Sequence, residues 1–219
     1  MTIDAVVFDF DGLVLDTETP TLLSWQEVYR EHGCELTLDD WSVCLGAGRR
    51  VFDPYRHLES LLGRSLDHDA IRARRKPRFR ELLDAEPMRP GVRELLDDAD
   101  RLGLKIGMAS SSDRAWVTGH LERLGLIDRF ECIVCEEDVS NLKPDPELFA
   151  TAVGRLGVAA ERAVALEDSP NGVLAAKRAG LHVVAVPNPT TRTLEFPDAD
   201  LTLGSLAEIP LGTLIERLA

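Results

Sequence analysis

The stretch AVVFDFDGLVLD, residues 5–16, is an apolar run with acidic residues near its middle and at its end. Its first part, residues 5–10, is typical of a strand that is buried on both faces, because such strands are almost continuously apolar. Asp9, Asp11 and Gly12 stand where that strand would end. The stretch therefore predicts a parallel strand that delivers two carboxylates to one edge of a sheet.

Further apolar runs repeat this pattern along the chain and alternate with helical patterns. The strand-like runs are residues 105–109, 132–135, 163–166 and 182–186. Val92, Leu95 and Ala99 recur at helical spacing just after Pro90. Strands that alternate with helices predict an α/β fold, with a doubly wound parallel sheet in a Rossmann-like core.

Residues 17–85 break this alternation, because they contain several helical patterns and no convincing strand. They predict an α-helical cap domain, inserted between two parts of a core domain formed by residues 1–16 and 86–219. Pro77 falls inside the last helical pattern of the cap. A proline at such a position is expected to kink or split the helix.

The ends of the predicted strands carry the candidate functional residues, because open α/β sheets bind ligands outside the carboxyl ends of their strands. Four carboxylates, one hydroxyl and one lysine are predicted there: Asp9, Asp11, Glu167, Asp168, Ser110 and Lys143. Four crowded carboxylates should raise one another's pKa values. Oxygen ligands suit Mg²⁺, and the absence of sulfur and imidazole at these ends argues against zinc. Lys143 supplies a positive charge for a phosphate group, and Ser110 supplies a hydrogen-bond donor.

Residues 9–16, DFDGLVLD, resemble the first signature of the haloacid dehalogenase superfamily. Ser110, Lys143 within Lys-Pro-Asp-Pro, and the run Glu167-Asp168-Ser169 match the second, third and fourth signatures in order. Together these matches span most of the chain. The helical insertion after the first signature resembles the subgroup that includes β-phosphoglucomutases and phosphoglycolate phosphatases.

The resemblance implies a role for each acidic residue. Asp9 is the nucleophile that forms an aspartyl-phosphate. Asp11 protonates the leaving oxygen and then deprotonates the attacking water. Mg²⁺ is held by the carboxylates of Asp9 and Asp168 and by the main-chain carbonyl of Asp11, while Glu167 binds the metal directly or supports its ligands.

The candidate substrate-binding residues are Gly12, Ser110, Ser111, Lys143 and Arg50. Arg49 and Arg50 follow Gly46-Ala47-Gly48, which resembles a cap loop that reaches the substrate in relatives. A solvated turn is the alternative interpretation of that loop. Ser111 and Ser112 have an alternative too, since they could simply begin the next helix.

The function that the resemblance implies is a magnesium-dependent phosphatase, which hydrolyses a small phosphomonoester through an aspartyl-phosphate. A phosphosugar mutase on the same scaffold is the alternative, and a binding protein without catalysis is a third hypothesis. Mutase-like members carry a histidine where this chain has Thr21, and a lysine about where it has Gly46. Imidazole can carry a proton near neutral pH and threonine cannot, so these departures favour the phosphatase.

Charge and hydropathy exclude other classes of partner. The formal net charge of −13 disfavours nucleic-acid binding. No apolar stretch approaches the length of a membrane span, and no basic leader precedes the first strand, so the expectation is a cytoplasmic protein. A monomer is expected as well. One run is basic against this trend: Arg72, Arg74, Arg75, Lys76, Arg78 and Arg80. It is either a solvated helix face or a positive rim that steers anions.

Cysteine spacing suggests a possible redox or metal motif, since Cys132 and Cys135 are three residues apart. They fall in a strand-like run, however, and residues three apart on a strand point to opposite faces. All four cysteines are therefore expected to be reduced, without a zinc site.

Overall fold

A parallel sheet of six strands runs through the part of the chain that the computed structural model describes, residues 2–42 and 52–218. The strands are β1 (Ala5–Phe8), β2 (Lys105–Ala109), β3 (Cys132–Val134), β4 (Ala163–Glu167), β5 (His182–Ala185) and β6 (Leu201–Thr202). Their order is β3-β2-β1-β4-β5-β6, and each neighbouring pair is parallel. The predicted α/β class and the five predicted strands are confirmed. β6 was not predicted, because two residues give no readable pattern.

Helices cover both faces of the sheet. The helices in the described residues are α1 (Glu18–Glu31), α2 (Leu38–Ser42), α3 (Pro54–Leu62), α4 (His68–Ala85), α5 (Val92–Leu102), α6 (Arg114–Leu124), α7 (Glu147–Leu156), α8 (Pro170–Arg178) and α9 (Leu211–Leu218). Val6 and Phe8 of β1 belong to the hydrophobic cluster on one face, and Ala5 and Val7 belong to the cluster on the other. Burial on both faces explains why β1 is apolar throughout, since each large side chain that leaves water contributes about 1.5–3 kcal/mol.

The order of the strands decides where a ligand can bind. The chain runs from β1 outwards to β2 and β3, and then returns to β4 on the other side of β1. The sheet therefore changes direction between β1 and β4. In open α/β sheets, the crevice at such a switch point, outside the carboxyl ends of the strands, is the usual binding site. Asp9 follows β1 directly, and Glu167 ends β4.

The helices α1–α4 precede the second strand and have a hydrophobic cluster of their own. Its buried members are Leu22, Trp25, Val28, Tyr29, Leu36, Trp41, Leu58 and Ile71. α4 also contributes Leu83 to one of the two hydrophobic clusters of the sheet, so α4 is in contact with the core of the sheet. The division into a cap of residues 17–85 and a core of residues 1–16 and 86–219 stays a prediction.

The basic run lies on α4, where much of it pairs with acidic residues. Arg72 contacts Asp69 at 2.9 Å and Arg74 contacts Glu31 at 3.1 Å. These pairs favour the solvated helix face over a positive rim. The predicted split of this helix is wrong, because α4 continues through Pro77. Arg78 binds Glu27 of α1 at 3.0 Å just beyond the proline, which holds this part of α4 against α1.

The described cysteines are free, as predicted: Cys34, Cys132 and Cys135. Cys132 and Cys135 lie in the clusters on opposite faces of the sheet, so their thiols diverge. Burial raises the pKa of Cys135 to about 11, which keeps this thiol protonated near neutral pH. Cys44 lies outside the described residues.

Within the described ranges, the helices lack the combination of length and apolar character that a bilayer crossing requires.

Candidate active site

The turn that follows β1 brings Asp9 and Gly12 to the switch point. The Gly12 amide donates to the carbonyl of Leu15 at 2.7 Å, which closes the turn. Gly12 has φ +83°, a conformation that residues with a side chain rarely adopt. A Cβ at this position would lie 2.2 Å from Oδ2 of Asp168 and 2.5 Å from Nδ2 of Asn188. The turn therefore packs directly against Asp168, which follows β4, and against Asn188.

Lys143 connects three strand ends. Its Nζ donates to the carbonyl of Ala109 at 2.8 Å, to Oε1 of Glu167 at 2.6 Å, and to Oδ1 of Asp9. Burial alone would lower the pKa of this lysine, but the carboxylates of Asp9 and Glu167 outweigh burial and raise it. Lys143 is therefore a fixed positive charge at the ends of β1, β2 and β4.

Asp9, Glu167 and Asp168 form a buried acidic group in the described part of the chain. Each offers a carboxylate oxygen, and these oxygens lie within 4.8 Å of one another. The three residues are 6%, 0% and 4% exposed. Burial, reinforced by neighbouring carboxylates, raises the pKa of Asp9 to about 8 even though Lys143 opposes the shift. Burial and the carboxylates of Glu167 and Asp9 also raise the pKa of Asp168, as the sequence predicted.

This group suits a hard divalent cation. Three carboxylates face one lysine, so ionisation of all three would leave two negative charges uncompensated at a buried position. Burial of unpaired charge is strongly unfavourable, and a cation at the centre of the group would remove the penalty. Carboxylate oxygens without sulfur or imidazole are the donors that Mg²⁺ prefers. The residues present therefore fit Mg²⁺.

Glu167 is held by protein donors on both oxygens. Oε1 accepts from Lys143 at 2.6 Å. Oε2 accepts from the amides of Asp168 and Ser169 at 2.9 and 3.0 Å, and from the Ser169 hydroxyl at 3.0 Å. Ser169 also caps α8 by accepting from the Gly172 amide at 3.1 Å. These bonds fix the carboxylate of Glu167 beside Asp9.

Asn188 is a buried contact of Asp168 that the sequence analysis missed. Its Nδ2 donates to Oδ2 of Asp168 at 2.6 Å. Its Oδ1 accepts from the hydroxyl of Thr190 at 2.7 Å and from the amide of Thr191 at 3.0 Å, so the amide group is fully oriented. Asn188 lies shortly after β5, and the strand-end rule could have found it had it been extended to that strand.

The carboxylate of Asp11 lies beside the acidic group and is not a member of it. Nε1 of Trp116 donates to Oδ1 at 2.9 Å, and the Ser112 hydroxyl donates to Oδ2 at 2.7 Å. The Ser110 hydroxyl lies 3.5 Å from the same Oδ2. Of the four carboxylates that were expected to meet, the structure therefore brings three together and turns the fourth towards the start of α6.

The remaining candidate residues have different surroundings. Ser110 is buried directly after β2, and its Oγ accepts from the Ser112 amide at 3.1 Å. Ser111 also lies at this strand end, and its Oγ is buried without a hydrogen-bond partner in the described ranges. The sequence suggests only a helix start for Ser112, whereas in the structure its hydroxyl donates to Asp11. Arg50 and the neighbouring loop, residues 46–49, lie outside the described residues.

Arg89 bonds to the turn after β1 and is a second residue that the sequence did not predict. Its guanidinium donates to the carbonyl of Gly12 and, at 3.0 Å, to the carbonyl of Pro187. It therefore ties the turn after β1 to the segment after β5. Burial lowers the pKa of Arg89, in spite of the nearby carboxylates of Asp168 and Asp16.

Gly12→Ala should reduce activity at least about 100-fold, because its Cβ would displace Asp168 and Asn188. Gly33→Ala is the matched control: Gly33 has φ +73°, and its Cβ would meet nothing within 4 Å. Both variants carry the backbone strain of a side chain at positive φ, about 1 kcal/mol. Thermal unfolding should show the smaller loss of stability in Gly33→Ala, which carries the backbone strain alone, and turnover should fall only in Gly12→Ala. Equal activities in the two variants would contradict the packing role of Gly12.

Comparison with known proteins gives the same family from sequence and from structure. A family model for haloacid dehalogenase-like hydrolase matches residues 6–186. The chain is 47% identical over 216 residues to "Putative phosphatase YhcW" of Bacillus subtilis (strain 168), covering 99% of this chain and 98% of that protein. It is 33% identical over 180 residues to "Phosphorylated carbohydrates phosphatase" of Thermotoga maritima, covering 81% and 82%.

A solved structure from Thermotoga maritima is similar to this chain over almost its whole length. This is the "putative beta-phosphoglucomutase from Thermotoga maritima", with a TM-score of 0.78, 29% identity, and 98% and 99% of the two chains covered. The fold, the order of the site residues along the chain and these similarities agree with one another. The chain belongs to the haloacid dehalogenase-like hydrolases.

Proposed function

We propose that the protein is a magnesium-dependent phosphatase, which hydrolyses a small phosphomonoester with Asp9 as its nucleophile. The observation that carries the proposal is the buried group of Asp9, Glu167 and Asp168, bonded to Lys143 at the switch point of the sheet. A relative that is 47% identical over nearly the whole chain carries the name of a phosphatase, which supports the same activity.

The proposed reaction has two steps. An oxygen of Asp9 attacks phosphorus, the bond from phosphorus to the leaving oxygen breaks, and Asp11 gives its proton to that oxygen. Asp11 then takes a proton from a water molecule, whose oxygen displaces Asp9 and releases inorganic phosphate. Lys143 and Ser110 stabilise the charge on the transferring group. Each turnover therefore restores the carboxylate of Asp9 and the protonated form of Asp11.

Mg²⁺ would be held by the carboxylates of Asp9 and Asp168 and the main-chain carbonyl of Asp11, with Glu167 as a ligand or as a support. When bound, it neutralises negative charge on the acidic group and on the phosphate. Without the positive charge of the metal, the pKa of Asp9 is raised to about 8, so Asp9 is partly protonated near neutral pH and is a poor nucleophile.

The proposed substrate class is a phosphorylated sugar or a similar small metabolite. One relative, 33% identical to this chain, is named for phosphorylated carbohydrates, which supports this class. Gly12, Ser110, Ser111 and Lys143 are the proposed contacts to the substrate, together with Arg50. We also propose that the protein acts as a monomer in the cytoplasm.

A mutase is the second candidate, because the solved relative from Thermotoga maritima is named after one. Thr21 occupies the position where mutase-like members carry a histidine. Its hydroxyl donates to the carbonyl of Thr17 at 2.8 Å, within α1, and it cannot relay a proton near neutral pH. Gly46, the second departure from the mutase pattern, lies outside the described residues. We therefore favour hydrolysis of the phospho-enzyme over transfer to a sugar.

Phosphate release from a broad panel of phosphomonoesters, measured with Mg²⁺ and with excess chelator, tests the proposal. At least one sugar phosphate should be hydrolysed, and chelator should reduce the rate to the background. Full activity in chelator would exclude the metal, and no release from any substrate would favour a binding protein. β-Glucose 1-phosphate with a trace of the bisphosphate provides the mutase assay. Formation of glucose 6-phosphate faster than phosphate release would overturn the phosphatase.

A further inference from the structure

The carboxylate of Asp11 is held from one side by α6 and the residues just before it. The indole Nε1 of Trp116 donates to Oδ1 at 2.9 Å, and the hydroxyl of Ser112 donates to Oδ2 at 2.7 Å. A single contact would leave the carboxylate free to rotate about its side-chain bonds. Two contacts on different oxygens fix both its position and its plane.

Aromatic contacts on two sides hold the indole of Trp116 itself. Phe79 of α4 stacks on it, with ring centroids 6.2 Å apart and an angle of 11° between the planes. His120 meets it edge-on, with centroids 4.4 Å apart and an angle of 74°. Such pairs contribute to stability beyond the area that they bury. The indole N–H therefore points at Asp11 from a fixed ring, and α4 is one of the elements that fixes it.

We infer that Trp116 is a positioning residue for the acid–base chemistry of Asp11, an inference that rests on the proposed function. An indole nitrogen donates hydrogen bonds and cannot accept them, so Oδ1 stays an acceptor while Trp116 is bonded to it. The Ser112 hydroxyl can donate or accept, so it can stay bonded to Oδ2 whether or not that oxygen carries a proton. Oδ2 is therefore the oxygen that passes the proton to the leaving group, and Trp116 aims it.

The inference predicts an effect that depends on the leaving group. An alkoxide, as released from a sugar phosphate, is a strong base and needs a proton as its bond to phosphorus breaks. A nitrophenolate is stable without a proton. A misaligned Asp11 therefore slows the first substrate and leaves the second almost unchanged, whereas damage to the metal site or to Asp9 slows both.

The experiment compares kcat/KM for a sugar phosphate and for p-nitrophenyl phosphate in Trp116→Phe, which removes the N–H and keeps a ring against Phe79. The parameter kcat/KM is used because it reports the step in which the leaving group departs. We expect a loss of about 10-fold or more with the sugar phosphate, corresponding to one hydrogen bond, and a change of less than about 2-fold with p-nitrophenyl phosphate.

Trp41→Phe is the matched control. Trp41 lies in α2, is buried, and has no hydrogen-bond partner for its indole nitrogen among the described residues. It should leave both substrates unchanged. Phe79→Leu is the second variant: it loosens the ring of Trp116 without touching the N–H, and it should reproduce part of the selective loss.

Equal losses on both substrates, or no loss on either, in Trp116→Phe would overturn the inference. If Trp116→Phe does not fold, as judged by circular dichroism, Phe79→Leu decides in the same way. A wild-type protein that hydrolyses neither substrate would contradict the proposed function instead, so the two failures are distinguishable.

Discussion

Replacing Asp9 with Asn should lower turnover of the preferred phosphomonoester by at least about 10⁴-fold, because an amide cannot attack phosphorus. Asn keeps the size and planar shape of the side chain, so the contacts after β1 are preserved. Lys143 also keeps its bonds to Glu167 and to the carbonyl of Ala109. Steady-state kinetics measures the loss of turnover, and circular dichroism checks that the fold is preserved. The purified variant is checked by mass spectrometry, since deamidation would regenerate Asp9.

The same substitution should not destabilise the metal-free protein. The pKa of Asp9 is raised to about 8, above its ordinary value near 4, by burial and by neighbouring carboxylates. A group whose pKa is higher in the folded state binds its proton more tightly there, so ionisation between about pH 4 and pH 8 costs stability. Asn mimics the protonated acid. At pH 8 in chelator, Asp9→Asn should therefore melt no lower than the wild type.

Asp128→Asn is the matched control for this prediction. Asp128 is exposed between α6 and β3, so it precedes a strand and lies towards the opposite edge of the parallel sheet from the buried acidic group. It should leave turnover and thermal unfolding unchanged. Turnover above about 1% of wild type in Asp9→Asn, with deamidation excluded, would contradict the assignment of the nucleophile.

The sequence could predict Asp9, Lys143 and the pair Glu167-Asp168 as one site for a topological reason. Parallel strands place their carboxyl ends at one edge of the sheet, so residues far apart in the chain meet there once the strands are recognised. The register of β1 with β4, in which Phe8 pairs with Leu166, then sets Asp9 beside Glu167. A repeated apolar pattern is enough to predict this much of the fold and of the site.

The contacts of Asp11 could not be predicted in this way. Trp116 is separated from Asp11 by 105 residues and reaches it from a face of α6, not from the end of a strand. Periodicity indicates that α6 has an inner face, but it does not say which residue of another element that face meets. Side-chain direction depends on packing against Phe79 and His120, which the sequence does not order in space.

Lys143→Met should cost about 3–5 kcal/mol of unfolding free energy and remove activity. Met is unbranched and only one atom shorter than Lys, so its thioether can keep contact with Phe149, whose ring centroid lies 4.9 Å from Nζ. The three buried carboxylates then lose their nearest positive charge. Breaking a buried ion pair from one side is expensive, because the remaining charge is left without compensation. Chemical denaturation in chelator measures the loss of stability.

Lys177→Met is the matched control, since it breaks a lysine–carboxylate pair near the surface. Lys177 contacts Asp200 at 2.8 Å, with both side chains about one-third exposed. Pairs of this kind contribute less than about 1 kcal/mol, because solvent screens them. The comparison separates the loss of any lysine from the loss of the one that neutralises the buried acidic group.

Removing one of the carboxylates should recover part of the stability that Lys143→Met loses. In the double variant Lys143→Met/Glu167→Gln, one of the two carboxylates bonded to the missing Nζ has lost its negative charge. The side-chain oxygen of the introduced glutamine can still accept from the amides of residues 168 and 169. The two substitutions share a direct contact, so their effects should not add, and a double-mutant cycle should give a coupling of at least about 1 kcal/mol. Additive losses would mean that the cost of Lys143→Met comes from packing and not from uncompensated charge. The bonds of Lys143 to Asp9 and Glu167 would then be incidental to the stability of the fold.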